Sequence, residues 1–233
     1  MTPASRASTP PDRIRWMFDG IADRYDLLNS LLSLGQHRAW KERAADACRL
    51  RPGALVLDVC TGTGDIALAL VRRGARAVAL DFARRMMHIG RAKAQGKPVA
   101  FVCGDALLLP FADDAFDAAT VGFSLRNVAS VAKLLAEMVR VVRPGGWVVS
   151  LETSQPPRLV VRALYRLYLE ITVGLTPLLS QGSAYRHLLR TIVAFPGAQE
   201  IAERFREAGL EEVSVSPLLL GAAAIHAGRV PAA

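Results

Sequence analysis

The chain is poor in several things, and each shortage narrows what it can be. Three cysteines occur in 233 residues, Cys48, Cys60 and Cys103, without the spacing a metal site needs. No disulfide framework can be built from them, and they are expected to be buried free thiols in a reducing compartment. Aromatic residues amount to 6%, too few to supply stacking platforms for single-stranded bases. No long apolar run is free of charge: Arg166 and Glu170 interrupt the greasiest stretch, residues 163–180, which argues against a membrane span. Residues 1–11 are rich in Ser, Thr, Pro and Ala and lack an apolar core, so they read as a disordered arm rather than a signal peptide. Arg6, Arg13 and Arg15 leave a short organellar presequence open. Acidic residues are outnumbered 21 to 29, a net charge of +8. The basic surplus is scattered (Arg72-Arg73, Arg84-Arg85, Arg140/Arg143, Arg186/Arg190) and forms no polybasic tract. A solvated arginine-rich surface accounts for it first, attraction to an anionic membrane surface second; no nucleic acid partner is expected.

What is present is a strand, a glycine loop and carboxylates. Residues 55–64, LVLDVCTGTG, read as a buried parallel strand running into a tight turn. Gly62 and Gly64 permit a sharp bend and close approach of a ligand to the backbone. Dinucleotide enzymes use a similar loop, and Gly62, Gly64 and Ala67 satisfy their loose pattern. A pyrophosphate, however, needs bare N–H groups and a positive helix end. Asp58 at the strand end and Asp65 at the helix start would repel it, whereas a ligand carrying an ammonium and a sulfonium, such as S-adenosylmethionine, suits them. Asp81 ends a second strand over residues 77–81, where a carboxylate can accept both ribose hydroxyls. A third strand, residues 99–103, runs into Asp105 and Ala106, placed to frame an adenine. Strands over 116–121 and 147–152 enclose a helix over about 130–142, stopped by Arg143-Pro144-Gly145-Gly146. Each Asp alone can equally be a cap or turn residue; three in series at βα spacing point to a nucleoside-binding face.

Several segments resemble the menaquinone/ubiquinone biosynthesis C-methyltransferases. They are residues 17–41 near the N-terminus, the loop Asp58 to Asp65, the stretch Leu80 to Met86, Gly104-Asp105-Ala106, and the element Phe123-Ser124-Leu125-Arg126-Asn127-Val128. The stretches 191–196 and 224–228 also fit, so the resemblance runs from about 17 to 229. It implies a class I SAM-dependent methyltransferase, an α/β Rossmann-like fold with a seven-stranded doubly wound sheet whose last strand is antiparallel, under an N-terminal helical cap. One domain over 12–233 is expected, with the cap at 12–50 and an inserted helical segment at 158–190.

The resemblance further implies methyl transfer to a ring carbon of a polyprenylated quinol, demethylmenaquinol before the ubiquinone-pathway benzoquinol. An RNA or protein methyltransferase and a non-catalytic cofactor-binding partner remain as alternatives. Thr63 and the glycines would hold the methionyl end, Asp58 its ammonium, Asp81 the ribose, and Asp105 and Ala106 the adenine. Tyr25, Asp26 and Asn29 would form part of a lid. For the proton acceptor, His37 and His226 are titratable near neutral pH, and Arg126 and Asn127 follow the fourth strand; each also has a purely structural reading. Tyr165, Tyr168 and Tyr185 either pack a prenyl tail or belong to the core. The apolar 158–190 segment suggests peripheral contact with the cytoplasmic face of the membrane, or alternatively a dimer interface. The departures are Gly122 where the family often has serine, Gln155 in place of a lysine after the fifth strand, and residues 219–224 before the last strand.

Overall fold

A strand that is apolar on both faces needs cover on both sides, and β1 (Leu55–Val59) has it. Leu57 and Val59 enter one core, and Val56 a second core on the opposite face. The computed structural model describes residue 20 and residues 29–31, 33–172 and 190–232 in full, and 173–175 as backbone. Six further strands are β2 (Arg76–Asp81), β3 (Val99–Cys103), β4 (Phe116–Gly122), β5 (Val142–Thr153), β6 (Glu211–Leu218) and β7 (Ala223–Arg229). Their order is β3-β2-β1-β4-β5-β7-β6. β1 to β5 pair in parallel, and β7 is antiparallel to both β5 and β6. The order reverses between β1 and β4, so ligands are expected at the C-terminal ends of those strands.

The helices are α1 (His37–Ala47), α2 (Asp65–Arg72), α3 (Arg84–Lys93), α4 (Val131–Val141), α5 (Leu159–Leu175) and α6 (Ala198–Glu207). The α4 helix starts where the Ser130 hydroxyl accepts the Lys133 N–H at 3.2 Å, a side-chain cap. Its stripe Leu134, Leu135, Met138 and Val141 is wholly buried beneath the sheet with Phe205 of α6. On the other face, Trp40, Ala44 and Ala45 of α1 pack with Ile66 and Leu70 of α2. Burying a side chain as large as Trp40 contributes roughly 2–3 kcal/mol, which seats α1 over the crevice. Arg73 adds bonds to Asp46 (2.6 Å) and Glu42 (2.5 Å) across the α1–α2 contact.

Some expectations change. Residues 143–146 lie inside β5 rather than between helix and strand. Phe116 pairs with Val142 and Ala118 with Trp147, so the intervening residues bulge out of register. The helix does stop there, but the backbone pairs again at once. Pro217 lies within β6, which the sheet order makes an edge strand, the place where a missing N–H is tolerated. Cys48 is buried, but Cys103 is exposed, because β3 is the opposite edge and its end is uncovered. The N-terminal arm, Tyr25, Asp26 and Tyr185 lie outside the described residues.

Candidate active site

The chain leaves β1 through left-handed backbone. Cys60, Gly62 and Gly64 have φ of +54°, +56° and +78°. Gly64 caps α2, and a Cβ there would lie 3.2 Å from the Phe101 ring, so both conformation and space ask for glycine. Phe123, just past β4, also has positive φ (+55°). Non-glycine residues adopt this conformation only where the surrounding structure holds them in it.

Asp58 is buried at the end of β1. Its Oδ2 accepts from the Thr61 hydroxyl (2.6 Å) and the Ala67 N–H (3.1 Å), and its Oδ1 from the Thr120 hydroxyl (2.7 Å). A carboxylate has about four acceptor directions, which leaves one for a ligand. Burial pushes its pKa up to about 6, against the pull of these hydrogen bonds and of the Lys41 charge. Asp81 ends β2, where Oδ2 accepts the Gly62 N–H at 2.7 Å and Oδ1 the Ala83 N–H at 2.8 Å. The loop amide of Gly62 therefore faces a carboxylate, an arrangement unsuited to a phosphate. Asp105 is exposed and accepts the Leu107 N–H at 2.8 Å, while Ala106 is buried in the core. Thr63 is buried and accepts from Lys93 Nζ at 3.0 Å.

One expectation about charge is overturned. Asp65 is not an open acid: Lys41 Nζ meets its Oδ2 at 2.6 Å and Lys93 Nζ its Oδ1 at 3.0 Å. Burial raises the Asp65 pKa, but the two ammoniums outweigh it and hold the carboxyl below its ordinary range. Two lysines therefore share this one carboxylate.

Two cavities flank Phe123. The first, about 20 Å³, is lined by Lys41, Asp58, Thr61, Thr63 and Gly122. The second, about 40 Å³, has an apolar side of Trp40, Ile192, Ala222 and Ala223 and a polar side that includes Asn29, His37, Arg126 and Tyr165. Phe123 is common to both. In the second cavity Arg126 Nη1 donates to Glu152 Oε1 at 2.5 Å, with the two side chains 8% and 0% exposed. Arg126 Nε, Glu152 Oε2 and Asn29 Nδ2 are buried with no hydrogen-bond partner among the described residues. Buried polar atoms are rarely left unmatched, and two of these three, on Asn29 and Arg126, belong to residues that line the second cavity. Burial pushes the Tyr165 hydroxyl up to about 12, so it stays protonated.

Of the remaining candidates, His37 reaches the second cavity, its ring Nδ1 3.3 Å from the Ser33 hydroxyl. Asn127 sits in a turn, its N–H donating to Ser124 O at 2.9 Å, and does not line either cavity. His226 is buried under Phe205 and lines neither cavity. Its Nε2 lies 2.9 Å from Ala198 O and its Nδ1 3.2 Å from the Ser150 hydroxyl, so both nitrogens are engaged in the core. Tyr168 bonds Leu31 O, joining α5 to the N-terminal helical residues.

Lys41 and Glu152 escaped the sequence reading. Both carried a signal: Lys41 occupies a position on the buried stripe 37, 40, 41, 44, 45 of α1, and Glu152 is a fourth acid closing an apolar strand.

A family model described as the ubiE/COQ5 methyltransferase family matches residues 7–230. The chain belongs to that family. It is 40% identical over 228 residues to a demethylmenaquinone methyltransferase from Bacillus cereus strain AH187, covering 94% of this chain and 96% of the relative. A SAM-dependent methyltransferase from Thermotoga maritima has the same fold, with a TM-score of 0.68 at 18% identity over 93% of this chain and 99% of that one. So has the [4+2]-cyclase SpnF, with a TM-score of 0.66 at 19% identity over 99% and 100% of the two chains. The fold is thus that of class I methyltransferases, and fold alone does not fix the reaction; family membership makes this chain a methyltransferase using S-adenosylmethionine. The residues present fit that cofactor: Asp58, on the wall of the first cavity, keeps one acceptor direction, and no loop amide is left aimed at a phosphate, since the Gly62 N–H is taken by Asp81 and the Gly64 N–H by Thr61 O.

Proposed function

We propose that the protein methylates a ring carbon of a polyprenylated quinol, demethylmenaquinol, within one methyltransferase domain spanning 12–233. That domain would comprise a helical cap at 12–50 and an inserted helical segment at 158–190. The observation that carries this reading is the second cavity, which abuts the cofactor cradle through Phe123 and combines an apolar wall with buried, unmatched polar atoms. The family and its relatives named demethylmenaquinone methyltransferase support the same substrate class.

The bound cofactor would supply an electrophilic methyl group. What the chain must supply is an electron-rich ring carbon held in line with it. Arg126, fixed by Glu152, would direct its Nε–H at a quinol oxygen and stabilise the oxygen's anionic form, which feeds electron density into the ring. Asn29 Nδ2 would give a second donor, and Glu152 Oε2 is the buried acceptor nearest in kind to a proton sink. Tyr165 would donate rather than accept a proton. Trp40, Ile192 and the Ala222-Ala223 pair would exclude water. The enclosed 40 Å³ is smaller than a bicyclic ring, so the ring enters as this wall yields. Cofactor contacts would come from Thr63, Gly62, Gly64, Asp58, Asp81, Asp105 and Ala106, with Tyr25 in the lid.

The prenyl tail calls for a greasy route to the bilayer. Val160, Leu164, Leu167 and Ile171 recur at helical spacing along α5 and are all exposed. With Arg158 and Arg166 nearby and a net charge of +8, this face suits peripheral contact with an anionic, inner-leaflet surface. No described helix is long and apolar enough to cross a membrane. Incubation with labelled S-adenosylmethionine and a short-chain demethylmenaquinol, followed by product mass analysis, is expected to show one added ring methyl. Methylated RNA with untouched quinol in the same assay would overturn the proposal, and methylation only of a benzoquinol analogue would move it to the ubiquinone pathway.

A further inference from the structure

Helix α1 carries basic side chains of two kinds. Arg38 and Arg43 are exposed, as amphipathic helices require, while Lys41 is buried, only 7% exposed. Burying an ammonium is expensive unless it is paired and hydrogen-bonded. Lys41 is paired, to Asp65 at 2.6 Å, but Asp65 already serves Lys93 at 3.0 Å. Asp65 is thus shared between two ammoniums, and Asp58, whose pKa the Lys41 charge pulls down, is the other acid on this cavity. An ammonium also has three protons to donate, and among the described residues Lys41 spends one on Asp65 and none elsewhere.

The two lysines differ in position. Lys93 spends a further N–H on the Thr63 hydroxyl and does not line the first cavity. Lys41 does line it, as does Asp58. The cavity wall thus presents a carboxylate with one acceptor direction left and an ammonium with donors left. That pair is complementary to an α-amino acid zwitterion, whose ammonium would go to Asp58 and whose carboxylate would go to the lysine. A cradle built only of acids, as the sequence suggested, would attract the ligand's ammonium and repel its carboxylate.

We propose that Lys41 receives the carboxylate of the cofactor's methionyl end, and so makes the site select donors that keep the amino-acid moiety. This rests on the glycine loop being the cofactor's cradle. The opposing reading is that Lys41 only fastens α1 to α2.

The test compares two ligands by calorimetry: S-adenosylhomocysteine, which has the amino-acid end, and 5′-methylthioadenosine, which lacks it. Lys41→Gln is expected to weaken S-adenosylhomocysteine about tenfold or more, the scale of a lost charge-assisted hydrogen bond, while methylthioadenosine changes by less than about twofold on the same scale. Lys93→Gln, which removes the other ammonium on Asp65 but no group on the cavity wall, is expected to change the ratio of the two affinities less than Lys41→Gln does. Retained methylthioadenosine binding also reports that the fold is intact. Equal losses for both ligands in Lys41→Gln would mean that the lysine is only a fastener, and no loss for either would mean that the carboxylate lies elsewhere. Wild type that binds neither ligand would overturn the cradle assignment, and this proposal with it.

Discussion

Two buried groups titrate in the same pH window with opposite consequences. Burial raises the Asp58 carboxyl from 3.8 to about 6. The folded state therefore favours its neutral form, and that stabilisation is full below pH 3.8 and lost as pH rises through 6. Burial lowers His226 from 6.5 to about 4, so the neutral ring is favoured, and stability is lost as pH falls from 6.5 towards 4. Each shift corresponds to roughly 3 kcal/mol at most, and in the wild type the two largely offset each other. Asp58→Asn is expected to raise the thermal midpoint at pH 7.5 and to expose a steep acid loss, while weakening S-adenosylhomocysteine. His226→Gln is expected to lower the midpoint at pH 7.5 and to gain stability on acidification. Parallel melts at pH 7.5 and 4.5 check both, and identical slopes in the two variants would contradict the assignment. Glu152 gives a second prediction at this scale. It is fully buried and holds Arg126 at 2.5 Å. Glu152→Gln is expected to lower kcat/KM for quinol about a hundredfold, in the range general acid–base groups supply. Affinity for S-adenosylhomocysteine would be unchanged; a matching loss of that affinity would place Glu152 in the cofactor site instead.

Among the elements, β4 and α2 meet more closely than a side chain at Gly122 would allow. A Cβ there would lie 2.4 Å from Ile66 Cδ1, so the serine common in the family at this position has no room unless Ile66 shifts. Ile66 is itself buried in the core of the α1–α2 face. Gly122→Ser is expected to cost about 1–3 kcal/mol by overpacking. Ile66→Val removes the colliding atom at a cost of roughly 0.5–1.5 kcal/mol when made alone. The double variant should therefore be more stable than the sum of the two, by urea midpoint. Simple additivity would show that the strand and helix adjust independently. Gln155, which replaces the family's lysine, has a different role here. Its Nε2 donates to Ile192 O and Val193 O at 2.9 and 3.2 Å, tying the end of β5 to the segment that walls the second cavity.

For the whole molecule, the question is which face meets other bodies. The α5 stripe is the longest run of exposed apolar side chains on any described helix, with Leu164 61%, Leu167 53% and Ile171 54% exposed. Exposed apolar patches of this kind mark contact surfaces. Wild type is expected to float with anionic vesicles, and Leu164→Glu/Leu167→Glu to remain in solution while still methylating a short-chain quinol. Both positions are on the surface, so the fold is preserved. Failure of the wild type to float, together with a doubled mass in solution that the variant loses, would assign the stripe to a second copy of the chain instead. Much of the architecture was legible in advance. β3 falls on the residues predicted, β2 and β4 differ by a residue at one end, and α4 by a residue at each end. The RPGG segment was misread because turn chemistry ends a helix without saying whether the next residues pair.

Sequence alone determined the alternation of strands and helices, the acids at the strand ends and the family. These follow from short-range periodicity and from residues fixed in register with their own backbone. Only the tertiary structure decided which charges are free. Asp65 is claimed by lysines 24 and 28 residues away, and Glu152 by an arginine 26 residues away. Such pairings depend on how layers stack and how much water they expel, and a buried charge takes whichever partner the packing brings within reach.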